Sequence, residues 1–345
     1  MILILTILLF SVVVNASAYV PFINLLYKFK MQRQHQKTRD AFEKPTPIFD
    51  ELHKGKAGTP VGGGALIILS TALFFPLMLL LMRYFFIPIT AVYDLTAEVK
   101  ILLFTFISFG ILGLYDDIKK TLPWLSPTFF GLRLRHKLII EIILATIAAI
   151  GLYTQLKIEI VHIPFLGVAH LGIFFVPFAV FVITAFSNAF NITDGLDGLA
   201  GGVLMITLVS FLIISAAILD APLSVFIALW LGGLIAFLYF NVFPARIWMG
   251  DVGALSFGAT FAVVGLMLGK SFALLVIGGV FVVEVASSLA QLLSKKYLGR
   301  KIMPVAPLHL WFQYKGWPEP KIVMRFWLIS IMLSALGLWL ALLTT

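Results

Sequence analysis

Long apolar runs recur along the chain, and they constrain its fold more than any other feature. They cover about 1–27, 61–86, 98–115, 138–153, 173–188, 199–218, 223–240, 254–269, 271–293 and 322–343 of the 345 residues. A helix needs about 20 apolar residues to cross a bilayer, so the runs predict ten spans. Lipid offers the backbone no hydrogen-bond partner, which leaves helices or a closed barrel. The alternating pattern of barrel strands is absent, and the expected class is all-α. The balance of 61% hydrophobic against 12% charged residues fits a chain that faces lipid.

The loops differ sharply in charge. Arg83, Lys100, Lys157 and Lys270 lie on one side, and the rest of the 25 Lys and Arg lie on the other. The positive-inside rule then predicts a cytoplasmic location for loops 28–60, 116–137, 188–198, 241–253 and 294–321, with both termini periplasmic. The net charge of +9 is therefore read as topology, not as a nucleic-acid footprint. Ala16-Ser17-Ala18 has the form of a cleavage site, but no basic segment precedes it, so the first span is expected to be retained. No cysteine is present, which excludes disulfides and thiolate metal ligands. Without a repeat or a dividing linker, 1–345 reads as a single membrane domain.

Polar residues collect at the cytoplasmic ends of the spans. Asp116-Asp117 close the third span, with Lys119 and Lys120 beyond. Asn188, Asn191, Asp194 and Asp197 follow the fifth span at every third residue, so one helical turn after another would align them. Asn241 ends the seventh span, and Trp248-Met249-Gly250-Asp251 precedes the eighth. Adjacent Asp116 and Asp117 should point about 100° apart and serve different roles. A lone Asp at a helix end is ordinarily a cap, but capping does not account for five carboxylates from three loops at one membrane depth. Hard oxygen ligands suit Mg²⁺, and Lys119, Lys120, Arg133, Arg135 and Lys137 suit phosphate. The combination points to phosphoryl chemistry on a lipid.

Two features are weaker. Lys56-Ala57-Gly58-Thr59-Pro60-Val61-Gly62-Gly63-Gly64 leads into a span, where N–H groups at a helix start favour anions. Glu284 lies within the ninth span, near Ser287, Ser288 and Gln291, and reads as a polar seam between helices.

These motifs resemble the polyprenyl-phosphate N-acetylhexosamine-1-phosphate transferases over nearly the whole chain. Within them they are similar to the phospho-N-acetylmuramoyl-pentapeptide-transferase branch. The likeness rests on Gly58-Thr59-Pro60, Asp116-Asp117, Asn188 to Gly198, Phe240-Asn241 and Met249 to Gly253. It also rests on Ala306-Pro307-Leu308-His309, Gly316-Trp317-Pro318-Glu319-Pro320 and Arg325-Phe326-Trp327. The resemblance implies Mg²⁺-dependent attack of undecaprenyl phosphate on UDP-MurNAc-pentapeptide, giving lipid I and UMP, and a homodimer by resemblance alone. It makes Asp251 the principal Mg²⁺ ligand, gives Asp116 the task of deprotonating or positioning the lipid phosphate, and has Asp117 support that task or the metal. Asn191, Asp194 and Asn241 become nucleotide-site residues, Lys56 a neighbour of the uracil, and Trp248 a stacking platform. Thr59, Lys120, Lys137, Asn188 and Asp197 join the substrate site, and His309 the catalytic set.

The chain departs from that pattern at three places. His309-Leu310-Trp311 stands for three histidines, with Gln313 for a Glu. Val61-Gly62 stands for Thr-Met, and Glu141 for Gln. Glu141 is four residues beyond Lys137, a spacing that allows pairing. The missing histidines leave UDP-GlcNAc or a related UDP-hexosamine as an alternative donor, and an inactive scaffold as a further reading. A secondary transporter also uses intramembrane carboxylates, but here they sit at one face, with no inverted repeat.

Overall fold

The computed structural model describes residues 2–32, 46–52, 56, 58–121 and 131–343. Its helices are α1 (Ile2–Lys28), α2 (Pro47–Leu52), α3 (Gly64–Tyr84), α4 (Leu95–Thr121), α5 (Leu134–Thr154), α6 (Phe175–Thr193), α7 (Leu199–Ala217), α8 (Ala221–Asn241), α9 (Gly250–Met267), α10 (Ser271–Ile277), α11 (Gly279–Leu293), α12 (Leu308–Tyr314) and α13 (Glu319–Leu343). Among the described residues, nine helical stretches are long and apolar enough to cross a membrane. The expected ninth span is instead a broken pair: α10 and the stretch Gly279–Leu298 meet at a 76° bend. The chain is thus a helical, multi-pass membrane protein.

Burial sorts the helices. Every residue of α9 is buried, and α8 is buried on almost all sides. Both are apolar all round, the pattern of a helix enclosed by other helices. The outer helices turn large apolar residues outward, such as Leu5, Leu9 and Val13 of α1 and Leu328 and Met332 of α13. Lipid is as apolar as these side chains, so close packing and interhelical hydrogen bonds must hold the bundle together. Ser11 donates to the Leu229 carbonyl (2.6 Å), Ser256 to the Phe106 carbonyl (2.6 Å) and Ser70 to Asn15 Oδ1 (2.9 Å). Phe106 meets Phe226, Trp230 and Phe257 in an aromatic cluster at the centre.

Two further expectations are corrected. An antiparallel hairpin, β1 (Ile160–Ile163) with β2 (Gly167–His170), lies in the connection between α5 and α6, where no strand was expected. Each strand has only four residues, too short for a periodic signal. The segments read as loops 116–137, 188–198 and 241–253 are also partly helical: α4 runs to Thr121, α6 to Thr193, and α9 starts at Gly250. Hydropathy ends a span at its first charges, whereas backbone hydrogen bonding continues through them.

The helix ends that carry the carboxylates are held by close backbone approach. A Cβ on Gly113 would lie 2.1 Å from the Asp251 carbonyl oxygen, so only glycine lets α4 touch the start of α9. Gly113→Ala should force the two apart and destabilise the protein by about 1–3 kcal/mol, as overpacked core sites do. The detergent melting temperature reads this out, and an unchanged value would mean that the helices do not touch there.

Candidate active site

Asp116 and Asp117 diverge as their spacing on a helix requires. Asp117 Oδ1 accepts the Asp251 N–H and Oδ2 the Val252 N–H, both at 3.0 Å. These amides open α9 and have no partner within the helix; a buried carboxylate supplies one and complements the positive end of the helix dipole. Asp116 faces the other way. Its Oδ1 accepts the Leu132 N–H at 2.7 Å, and its Oδ2 lies 2.9 Å from Lys120 Nζ and 3.2 Å from Lys137 Nζ. Both lysines also reach Asp251 Oδ2, Lys120 at 2.9 Å and Lys137 at 2.5 Å. Asn191 Nδ2 points at the same oxygen from 3.5 Å. Two carboxylates and two ammoniums thus neutralise one another at one end of the bundle.

The stretch from 188 to 198 divides in two. Asn188 donates to Glu141 and to the Thr184 carbonyl (3.0 Å), and Asn191 faces Asp251, so this part keeps to one helical face. The helix ends at Thr193, with Asp194 as its C-cap residue. The expected single face therefore stops there, and Asp197 turns elsewhere. Asp197 Oδ1 lies 2.8 Å from Lys56 Nζ and its Oδ2 accepts the Ala245 N–H at 3.0 Å. Glu319 Oε1 receives both Lys56 Nζ and the Asp197 N–H. Asn241 fastens the same turn, accepting from the Gly198 N–H (3.1 Å) and donating to the Ile247 carbonyl (2.9 Å). Asp194 is half-buried and lies near Asp251, Asp117 and Asp197. Burial first, and then those three negative charges, push its pKa up to about 7 against the pull of Lys56.

Trp248 acts through its backbone. Its N–H donates to the Pro60 carbonyl (2.9 Å), and its carbonyl accepts from the N–H groups of Gly62 (3.1 Å) and Gly63 (2.8 Å). The Gly64 N–H goes to the Met249 carbonyl at 2.9 Å. The glycine amides expected to greet an anion are thus taken by carbonyls, and the loop carrying Thr59 is a brace against α9. Lys119 lies over the Tyr115 ring at 4.6 Å, while Glu141 pairs with Asn188 and Lys137 turns to the two Asp residues.

His309 is buried in the first turn of α12. Its Nδ1 lies 2.8 Å from Glu284 Oε2, and its N–H donates to Glu284 Oε1 at 3.2 Å. Its ring packs so close to Gly195 that a Cβ there would come within 2.4 Å of Nε2. Glu284, expected to form a seam between helices, is the partner of His309. Glu319 ties Lys56 to the Asp197 turn, a role its motif alone does not give. A carboxylate at the start of an apolar span was the available signal, because such a group needs a partner. Leu310 is buried, and Trp311 carries the Lys315 ammonium 3.8 Å from its ring centre.

Among the described residues, no three His, Asp or Glu side chains form a metal cage. Mg²⁺ does not require one, since it keeps waters and binds through one or two carboxylates plus substrate phosphates. Asp251 fits that need: both lysines approach Oδ2 and leave Oδ1 on the other edge. Asp117 has both oxygens on backbone amides and supports Asp251 from behind. Asp117→Asn would keep one acceptor of two, with an expected loss of about 0.5–2 kcal/mol, as for other helix caps. A melting temperature equal to that of the unmodified protein would show that the cap is not formed.

The glycosyl transferase family 4 profile matches residues 99–269, which carry the Asp116, Asp194 and Asp251 segments. The phospho-N-acetylmuramoyl-pentapeptide-transferase of Clostridium novyi (strain NT) is 34% identical over 290 residues, covering 83% of this chain and 84% of its own. Those of Rickettsia canadensis (strain McKiel) and Pelagibacter ubique (strain HTCC1062) are 38% and 36% identical, covering 84% and 82% of this chain and 81% and 80% of their own. With its helical membrane fold and relatives matched over most of their length, the chain belongs to the phospho-N-acetylmuramoyl-pentapeptide-transferases, phosphotransferase enzymes of glycosyl transferase family 4.

Proposed function

We propose that the protein transfers phospho-N-acetylmuramoyl-pentapeptide from UDP-MurNAc-pentapeptide to undecaprenyl phosphate, releasing UMP and leaving lipid I in a bacterial plasma membrane. The site opens on the cytoplasmic side, and both termini lie in the periplasm. The observation that carries the reading is the quartet of Asp116, Lys120, Lys137 and Asp251 at one end of the bundle. Both substrates are anions, and they react only after their charges are neutralised. Lys120 and Lys137 are already desolvated and need to exchange a carboxylate for a phosphate oxygen to do so. Mg²⁺ held at Asp251, when bound, supplies Lewis-acid neutralisation of the diphosphate.

An oxygen of the lipid phosphate attacks the β-phosphorus of the donor. The bond from that phosphorus to the bridging oxygen breaks, and its electron pair leaves with UMP. Asp116, released from the lysines, positions the attacking phosphate and takes its proton where one is present. Asn191 and Asp194 border the nucleotide, Lys56 lies towards its base, and Asn188, Thr59 and Trp248 line the approach. Asp197 and Asn241 hold the turn that frames it. The contribution of the chain is positioning and preorganised charge. Direct attack suits a site where both oxygens of Asp117 stay on backbone amides and Asp116 serves to position the attacking phosphate.

One observation favours a different donor. Leu310 is buried and Trp311 is paired with Lys315, so neither offers the imidazole of the branch pattern. UMP release by the purified protein decides the matter, with undecaprenyl phosphate, Mg²⁺ and either UDP-MurNAc-pentapeptide or UDP-GlcNAc. Lipid- and Mg²⁺-dependent release with the muropeptide alone is expected. Release with UDP-GlcNAc alone would overturn the donor, and silence with both would overturn the activity. Asp251→Asn should lower turnover by about 10²–10³-fold or more, the scale for losing a preorganised electrostatic contact. Near-normal rates at saturating Mg²⁺ would sink its assigned role.

A further inference from the structure

At the end of the bundle opposite Asp251, two further acids meet. Glu98, in the first turn of α4, and Asp220, the residue before α8, are both fully enclosed. Asp220 Oδ1 accepts the Leu223 N–H at 3.2 Å and so caps α8, and the Val92 N–H is directed at the same carboxyl. No N–H or hydroxyl reaches Asp220 Oδ2 or either side-chain oxygen of Glu98. The two carboxyls are instead each other's hydrogen-bond partners. Tyr93 is the other titratable group that faces them, and its hydroxyl donates to the Met267 carbonyl at 2.7 Å. Asp94 caps α4, where its Oδ1 accepts the Ala97 N–H at 2.8 Å. Lys270, on the turn between α9 and α10, acts on His162 of β1. Among the described residues, no ammonium or guanidinium acts on Glu98 or Asp220.

Two acceptors hydrogen-bond only with a proton between them. Two bare carboxylates in contact would repel, and neither has solvent to screen its charge. A metal ion in place of the proton would need waters or free carbonyls to complete its shell. Both acids are shut off from solvent, and the neighbouring Leu219 and Met267 carbonyls already accept from Thr90 Oγ1 (2.6 Å) and from Tyr93. We propose that Glu98 is a neutral acid whose O–H donates to the Asp220 carboxylate, a proton clasp between the start of α4 and the start of α8. Asp220 keeps the charge because a backbone amide hydrogen-bonds it directly. Around the clasp, Thr90 also accepts the Ala221 N–H at 2.9 Å, and Tyr93 joins the turn that follows α9. One proton thus helps to tie the segment before α4 to both turns, and ionising Glu98 would set two negative charges in contact and loosen that end of the bundle.

A proton bound in the folded chain and released on unfolding makes stability fall as the pH rises. The contribution is complete below the ordinary glutamate range of about 4.3 and vanishes as the folded pair gives up its proton. Glu98→Gln keeps the shape and offers Asp220 an N–H that does not ionise. Melting temperatures of the detergent-solubilised variant and unmodified protein, compared from about pH 5 to about pH 9, test the clasp. The variant should gain on the unmodified protein by about 2 °C or more towards the alkaline end. A difference that stays constant with pH would overturn the proposal. Added Na⁺, Mg²⁺ or Ca²⁺ at matched ionic strength should move both proteins equally. A rise confined to the unmodified protein would put a metal ion in place of the proton and overturn it as well. The infrared difference between the two proteins at neutral pH reads the proton itself. Loss of a protonated-acid carbonyl band in Glu98→Gln is expected, and loss of a carboxylate band would contradict the clasp. Should that variant fail to fold, Asp220→Asn takes its place in the pH comparison. It retains the helix cap and removes the second charge, so it too should gain as the pH rises, and a constant difference would sink the idea.

Discussion

The carboxylate of Asp117 under the first turn of α9 is the contact on which the site depends. A helix that begins inside a bundle leaves amides without partners, and in a low-dielectric surrounding each costs several kcal/mol. Asp117 satisfies two of them from α4, and Gly113, one turn earlier, lets the two backbones meet. The height of α9 relative to α4 is thereby set, and with it the place of Asp251 beside Asp116. Successive residues on one helix divide the work: one side chain builds the frame and the other faces the chemistry.

Charge is arranged in two groups around that frame. Asp116 and Asp251 share Lys120 and Lys137, while Asp197 and Glu319 share Lys56. Buried charges survive only when paired and hydrogen-bonded, and each group meets this condition with residues from separate parts of the chain. The segment from Asn188 to Gly198 joins them. Its helical part serves the first group through Asn191, and its non-helical part serves the second through Asp197. The backbone break at Asp194 makes this division possible, and it leaves Asp194 between the two groups with its pKa near neutrality.

The residues that stand out in the sequence are largely those the structure brings together. Asp116, Asp117, Asp251, Lys120, Lys137 and Asn191 are legible because charged groups at the ends of apolar spans demand an explanation. Asp197 was assigned to the wrong face, because a period of three residues is informative only while the helix continues. The glycines before α3 suggest an anion site, yet their amides end on the Trp248 and Met249 carbonyls. Glu284 and Glu319 carry no local sign of their partners: His309 follows Glu284 by 25 residues, and Lys56 precedes Glu319 by 263.

Hydropathy and charge asymmetry by themselves determined that this is a helical membrane protein with its polar residues gathered at one face. Those constraints are local, since in lipid each helix must satisfy its own backbone and each loop carries its own charge. Tertiary structure alone decided which aspartate is a cap and which meets the lysines. The deciding partners are distant in sequence: Asp117 finds the Asp251 amide 134 residues away, and Lys56 finds Glu319 across 263. It also decided where α10 and α11 break, and that a buried glutamate serves a histidine. Packing in three dimensions chooses among many equivalent local options, and one-dimensional periodicity holds no record of that choice.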